Sequence, residues 1–237
     1  MTTFVLVHGA WHSPSCWDRL TPLLQEAGHD VVAPELPSGD GSADFDAYAD
    51  VVCAALQGCV DDVVAVAHSL AGTTGALLPV RRPVRHLVYL CAAVPEGGLS
   101  LVDQWQAEPD MVSPEFGNGW LQGLTDPDDQ LRTAWVDLDF ASKVFYGDCD
   151  EATVTAALDQ LRPQSGYPWA LPCSLSEHPP VPCTSVVCGE DLVVNPAWSR
   201  RMARKIGADL VELPGGHSPM LSRPSAVADV LLRVGDE

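Results

Sequence analysis

Val63-Val64-Ala65-Val66-Ala67-His68-Ser69-Leu70-Ala71-Gly72 is the stretch that decides the reading of this chain. An apolar, valine-rich strand ends abruptly in small residues around a serine, and the following residues turn helical. This is the pattern of a nucleophile elbow, usually written G-x-S-x-G, in which a strained strand-to-helix turn lifts a serine hydroxyl to the top of a sheet. The flanking positions must be small because the turn packs tightly, and Ala67 and Ala71 satisfy that need. A serine that merely starts a helix has the same local look, so the rest of the chain must discriminate.

Outward from the elbow, short apolar runs alternate with helical segments. Phe4 to Val7, Val31 to Ala33, Val63 to Ala67, His86 to Leu90, Thr184 to Cys188 and Leu210 to Leu213 read as strands buried on both faces, the signature of a parallel sheet. Helices are expected over Pro14 to Ala27, Phe45 to Cys59, Leu70 to Leu78, Pro196 to Ile206 and Ser225 to Val234. Right-handed crossovers then build an α/β, mostly parallel, doubly wound sheet. The alternation stops between Val94 and Val181, where Trp105, Trp120, Trp135 and Trp169 are scattered through a stretch rich in Pro, Gly and Asp. That is too long for a loop and reads as an inserted, mostly helical cap. Residues 1–94 and 181–237 are the expected core, and 95–180 the cap.

Composition narrows the function. Of 237 residues, 13 are Lys or Arg and 32 are Asp or Glu, a net charge of −19 at pH 7. Such a field repels phosphate, so no nucleic acid and no anionic membrane is expected as partner. No apolar stretch approaches the roughly 18 to 20 residues that cross a bilayer. The first residues pass straight into a strand without a leader pattern, and a cytoplasmic protein is expected. The eight cysteines show no zinc spacing and read mostly as small buried hydrophobes. Cys173 and Cys183, which flank a proline-rich segment, are a candidate disulfide that a reducing compartment disfavours.

A serine hydroxyl is a weak nucleophile near neutral pH, so it needs a base, an acid to orient that base and donors for the oxyanion. Past the last strand, Leu213-Pro214-Gly215-Gly216-His217-Ser218 offers His217 on a glycine loop as the base. After the preceding strand, Val187-Cys188-Gly189-Glu190-Asp191 offers Asp191 as the acid, with Glu190 and Glu96 as alternatives. The Leu70 N–H follows the nucleophile directly. The loop Val7-His8-Gly9-Ala10-Trp11-His12 offers the Ala10 N–H as second donor, with Gly9 permitting the backbone shape and Trp11 walling the pocket. The same loop lacks G-x-G-x-x-G and a P-loop lysine, which removes dinucleotide and nucleotide binding.

His8-Gly9-Ala10-Trp11-His12, Ala67-His68-Ser69-Leu70-Ala71-Gly72, Asp191 to Pro196 and Gly216-His217-Ser218 together resemble the α/β-hydrolase superfamily in order and spacing, over nearly the whole chain. Within it the sequence is similar to the small, single-cap group of methylesterases and hydroxynitrile lyases. The resemblance implies Ser69, Asp191 and His217 as a triad, with Ala10 and Leu70 at the oxyanion. The lyases carry threonine in place of Gly9 and lysine in place of Ser218. Without that lysine no charge receives a leaving cyanide, so cyanohydrin cleavage is disfavoured.

The expected function is carboxylester hydrolysis through an acyl-serine intermediate on a small hydrophobic or aryl ester. Trp11, Trp105, Trp120, Leu121, Trp135 and Phe140 are the candidate pocket walls. No metal and no cofactor is needed, and the partner is a small-molecule substrate bound by a monomer or homodimer. Alternatives are a lyase, decarboxylase or cyclase of specialised metabolism on the same fold, and a ligand-binding protein on a degenerate one.

Overall fold

The computed structural model describes residues 1–59 and 62–236. Its strands are β1 (Thr3–Val7), β2 (Asp30–Val32), β3 (Val63–His68), β4 (His86–Leu90), β5 (Arg132–Thr133), β6 (Gln164–Ser165), β7 (Cys183–Cys188) and β8 (Asp209–Leu213). Six of them form one parallel sheet in the order β2-β1-β3-β4-β7-β8, and β5 pairs with β6 in a separate antiparallel ribbon. The four inner strands are buried from end to end, as their unbroken apolar runs demand. β2 and β8 depart from the expectation of burial on both faces: Asp30, Asp209, Leu210 and Glu212 are exposed. Both are edge strands with a neighbour on one side only, so side chains at the rim reach water.

Helices α1 (Thr21–Glu26), α2 (Phe45–Ala55) and α3 (Gly72–Leu77) lie in the first half. The single helix expected from Pro14 to Ala27 is divided into a 3-10 turn over Pro14–Trp17 and α1. Pro22 belongs in a first turn, because inside a longer helix it would break the hydrogen-bond ladder. α2 stops at Ala55 rather than Cys59, and a 3-10 turn over Ser69–Ala71 precedes α3.

Between β4 and β7 lie α4 (Leu101–Ala107), α5 (Pro114–Gly119), α6 (Leu138–Tyr146) and α7 (Glu151–Asp159), together with the β5–β6 ribbon, which the sequence reading did not foresee. Backbone hydrogen bonds tie this segment to the loops that follow β1 and β7. Arg162 N–H donates to the Trp11 carbonyl at 2.7 Å, Ser113 N–H to Val193 at 2.8 Å, and Asn195 N–H to Met111 at 3.0 Å. The chain closes with α8 (Pro196–Ile206), α9 (Pro219–Ser222) and α10 (Pro224–Asp236). α8 has the bounds its signals predict: Asn195 caps it, Pro196 opens it and Gly207, at φ +70°, ends it.

α1 packs with α10 and α2 with α3, while α8 runs along β7 and β8, the layers of a doubly wound sheet. The chain leaves β1 outward to β2, then crosses back to β3 on the other side. The order therefore reverses at β1 and β3, and a crevice opens at their carboxyl ends. All eight cysteines are free, so Cys173 and Cys183 form no bridge. No helix among the described residues is long and apolar enough to cross a membrane.

Candidate active site

Ser69 sits on the sharp turn between β3 and α3 with φ +56°, a left-handed conformation that costs a non-glycine residue about 1–2 kcal/mol. Close packing around it offsets the strain. The Ser69 carbonyl accepts from Ala93 N–H at 3.0 Å. A Cβ at Gly72 would stand 2.0 Å from the Ala93 carbonyl oxygen, and one at Gly75 would stand 2.6 Å from the Ala67 Cβ. The glycines that this elbow requires are therefore inside the helix, and alanine suffices at its two flanks. Gly9 has a different role from the one expected. The positive φ in its loop belongs to Trp11 (+58°), whereas a Cβ on Gly9 would meet the Ser69 Cβ at 2.8 Å. Gly9 is there for proximity rather than for backbone shape.

His217 arrives from the loop after β8, where Gly215 takes φ +95°. Its Nε2 lies 2.9 Å from Ser69 Oγ, and its Nδ1 lies 3.0 Å from both carboxylate oxygens of Asp191. Both His217 and Asp191 are buried. Asp191 Oδ1 also accepts from Val193 N–H at 2.7 Å and Val194 N–H at 3.1 Å, which fixes the carboxylate plane towards the imidazole. The two alternative acids point elsewhere: Glu190 is exposed and Glu96 is ion-paired with Lys205 at 2.6 Å. Proton transfer from the hydroxyl to Nε2 needs no rearrangement in this geometry.

Three further histidines surround the site and are held neutral. His8 Nδ1–H donates to the Gly9 carbonyl at 3.0 Å, and His12 Nδ1–H donates to the Ala10 carbonyl at 2.7 Å. That leaves His12 Nε2 to accept from the Tyr146 hydroxyl at 2.8 Å. His68 Nε2–H donates to the His217 carbonyl at 2.9 Å. Burial pushes His8 and His12 down to about 4, and pushes His68 well below the usual histidine range with help from its histidine neighbours. Below pH 6.5 the unfolded chain binds protons that these folded rings refuse. Stability is therefore complete above pH 6.5 and drains away as the pH falls towards 4. Each ring contributes a slope of up to about 1.4 kcal/mol per pH unit. Denaturant midpoints should hold level from pH 7.5 to about 6.5 and fall steadily from there to pH 5; a flat profile throughout would contradict neutral burial.

Ala10, Trp11, Ser69 and Leu70 line one apolar cavity. Trp105, Phe116, Trp120 and Trp169 roof it, and Met111, Val112, Val193 and Val194 complete its side. Among the described residues no charged side chain lines it. Of the expected wall residues, Trp11, Trp105 and Trp120 are in place, whereas Leu121, Trp135 and Phe140 are not. Leu121 is 67% exposed. Trp135 packs behind Trp11, ring centroids 5.4 Å apart, and Phe140 stacks behind Trp135 at 6.0 Å. Sequence reading missed Val193 and Val194, although an apolar pair two residues past Asp191 in a loop was a usable signal. It had no signal for Met111, Val112 or Phe116, whose approach depends on the fold of the insertion. Among the described residues no group of three or more His, Cys, Asp or Glu is placed to hold a metal ion.

Asp148, between α6 and α7, was also missed. Its Oδ2 accepts from Gly216 N–H at 3.1 Å and from Arg223 Nη2 at 2.6 Å, so the insertion grips the backbone beside His217. Burial alone would raise this carboxyl, but Arg223 and the Gly216 N–H outweigh it and hold it below the ordinary carboxylate range. Asp148→Asn should lower kcat/KM about 10-fold or more by loosening the His217 loop. It should also shift the denaturant midpoint down by an amount worth about 1.5–3 kcal/mol, the usual worth of a hydrogen bond to a charged group.

The alpha/beta hydrolase family model matches residues 4–230, and the chain belongs to this family. It is 27% identical over 255 residues to a pyrethroid hydrolase of Sphingobium wenxiniae, covering 100% of this chain and 88% of that protein. It is 26% identical over 253 residues to methylesterase 7 of Arabidopsis thaliana, covering 99% and 96%. The crystal structure of a pyrethroid hydrolase from Sphingobium faniae superposes with a TM-score of 0.80 at 24% identity, covering 99% of this chain and 97% of that one, a likeness of fold. The protein is an enzyme of the carboxylesterase-type hydrolase class.

Proposed function

We propose that this enzyme hydrolyses neutral, apolar carboxylic esters through an acyl-serine intermediate. Ser69 Oγ attacks the carbonyl as His217 Nε2 takes its proton, and Asp191 holds the imidazole with Nδ1–H turned away from the serine. The Ala10 and Leu70 N–H groups stabilise the oxyanion, His217 returns the proton to the leaving alcohol, and water repeats the sequence to release the acid. The carrying observation is the continuous hydrogen-bonded line from Ser69 Oγ through His217 to Asp191, with distances of 2.9 and 3.0 Å. Residues 95–180 act in this reading as a cap that closes the apolar cavity over the serine. The charge-free lining favours uncharged substrates, because a buried charge would find no partner there.

The test combines a serine-directed fluorophosphonate with a panel of uncharged aryl and alkyl esters, reading intact mass and hydrolysis on the same sample. Stoichiometric labelling that abolishes ester turnover is the expected result. Protein that neither labels nor hydrolyses any ester would overturn the proposal and favour a non-hydrolytic reaction at the same site.

A further inference from the structure

Ala10, whose N–H is the second candidate oxyanion donor, is fastened through the carbonyls on both sides of it. A trans peptide is planar, so whatever holds the Gly9 carbonyl also aims the Ala10 N–H, which points the opposite way in the same plane. That carbonyl accepts from His8 Nδ1–H at 3.0 Å and from His12 N–H at 3.4 Å. The next carbonyl, that of Ala10, accepts from His12 Nδ1–H at 2.7 Å, and the one after it, that of Trp11, accepts from Arg162 N–H at 2.7 Å. Trp11 itself stands at φ +58°, a conformation that a non-glycine residue keeps only where its surroundings over-determine it.

A neutral imidazole has one proton, so His12 donates to Ala10 only while that proton sits on Nδ1. The Tyr146 hydroxyl donates to Nε2 at 2.8 Å and thereby selects this tautomer. His12 is 4% exposed and Tyr146 1%, so a bond lost here leaves its partner buried and unpaired. We propose that His12 and Tyr146 are positioning residues for ester hydrolysis: Tyr146 fixes the His12 ring, His12 fixes the Ala10 carbonyl, and together they hold the Ala10 N–H on the oxyanion. The inference rests on the hydrolase reading of Ser69. Both side chains stand outside the lining of the cavity over Ser69, so their effect should fall on the transition state rather than on substrate binding. The insertion then takes part in the chemistry besides covering the cavity. Tyr146, Arg162 and Thr133, whose Oγ1 accepts from Trp11 Nε1–H at 3.3 Å, all belong to it and all grip the loop after β1.

The experiment measures steady-state kinetics of Tyr146→Phe, His12→Leu and His12→Asn on the best substrate of the ester panel. Calorimetry adds the binding of trifluoromethyl phenethyl ketone and methyl phenethyl ketone. Ser69 Oγ adds to the activated carbonyl of the first while its proton passes to His217 Nε2, and the former carbonyl oxygen takes the negative charge that the oxyanion donors meet; the second binds as a plain ketone. Tyr146→Phe should lower kcat on the order of 10-fold with KM nearly unchanged, and should weaken the trifluoromethyl ketone by the same factor while leaving the methyl ketone within about 2-fold of native. His12→Leu should cost on the order of 10- to 100-fold in the same two quantities. His12→Asn, whose side-chain N–H replaces Nδ1–H at the Ala10 carbonyl, should recover part of that loss. Tyr146→Phe removes one oxygen and keeps the ring, so it carries the test where His12→Leu does not fold. Equal weakening of both ketones, loss through KM alone, or kcat within about 2-fold of native in all variants would overturn the inference and leave the hydrolase reading intact. A native enzyme that turns over no ester and binds the two ketones equally would remove the hydrolase reading and this inference with it.

Discussion

Replacing Ser69 by alanine should lower ester turnover on the order of 10³-fold or more and abolish fluorophosphonate labelling together with it. The hydroxyl stands in the cavity lining 2.9 Å from His217 Nε2. Its removal leaves the His217–Asp191 pair and the apolar walls in place, so substrate binding should persist. Alanine also keeps a Cβ at the φ +56° position, where the elbow is already strained, so stability should change little. Rates on an apolar aryl ester, with thermal unfolding as the control for folding, check both parts. Turnover within 10-fold of the native rate would remove the acyl-serine mechanism.

The second large effect is expected for Asp191→Asn, with kcat reduced on the order of 10⁴-fold and KM nearly unchanged. An asparagine oxygen still accepts from the Val193 and Val194 N–H groups, which hold one side of the cavity. Its amide then presents N–H to His217 Nδ1. The imidazole can meet that donor only by carrying its proton on Nε2, the tautomer that cannot take a proton from Ser69. Steady-state kinetics separates the two parameters. A variant that retained kcat within 10-fold would mean that Asp191 does not orient the base. The split distinguishes this from general loosening, which would raise KM as well.

Much of this architecture was legible before any coordinates. The inner strands declare themselves as unbroken apolar runs, since a parallel strand covered on both faces has no polar side to show. The order Ser69, Asp191, His217 was legible too, because each stands directly after a strand and so at the same edge of a parallel sheet. Loop chemistry was readable where the backbone alone needs it, as at Asn195, Pro196 and Gly207 around α8. The edge strands were over-read, since an apolar run does not reveal how many neighbours it has. Leu121, Trp135 and Phe140 were misplaced for a related reason: aromatic composition says that a segment packs, but not which ring faces the cavity and which stands behind it.

The sequence by itself determined the sheet, the elbow and the chain order of the candidate nucleophile, acid and base, because these follow from local patterns of size and polarity. Tertiary structure separated Asp191, the acid the sequence favoured, from its two alternatives, with Asp191 turned inward while Glu190 faces water and Glu96 pairs with Lys205. It also decided that Gly9 is needed for its distance from Ser69, that Asp148 grips the His217 loop, and that Tyr146 reaches His12. Each of these is a contact between residues far apart in the chain. Such contacts depend on how the insertion lies across the sheet edge, and no local pattern encodes that placement.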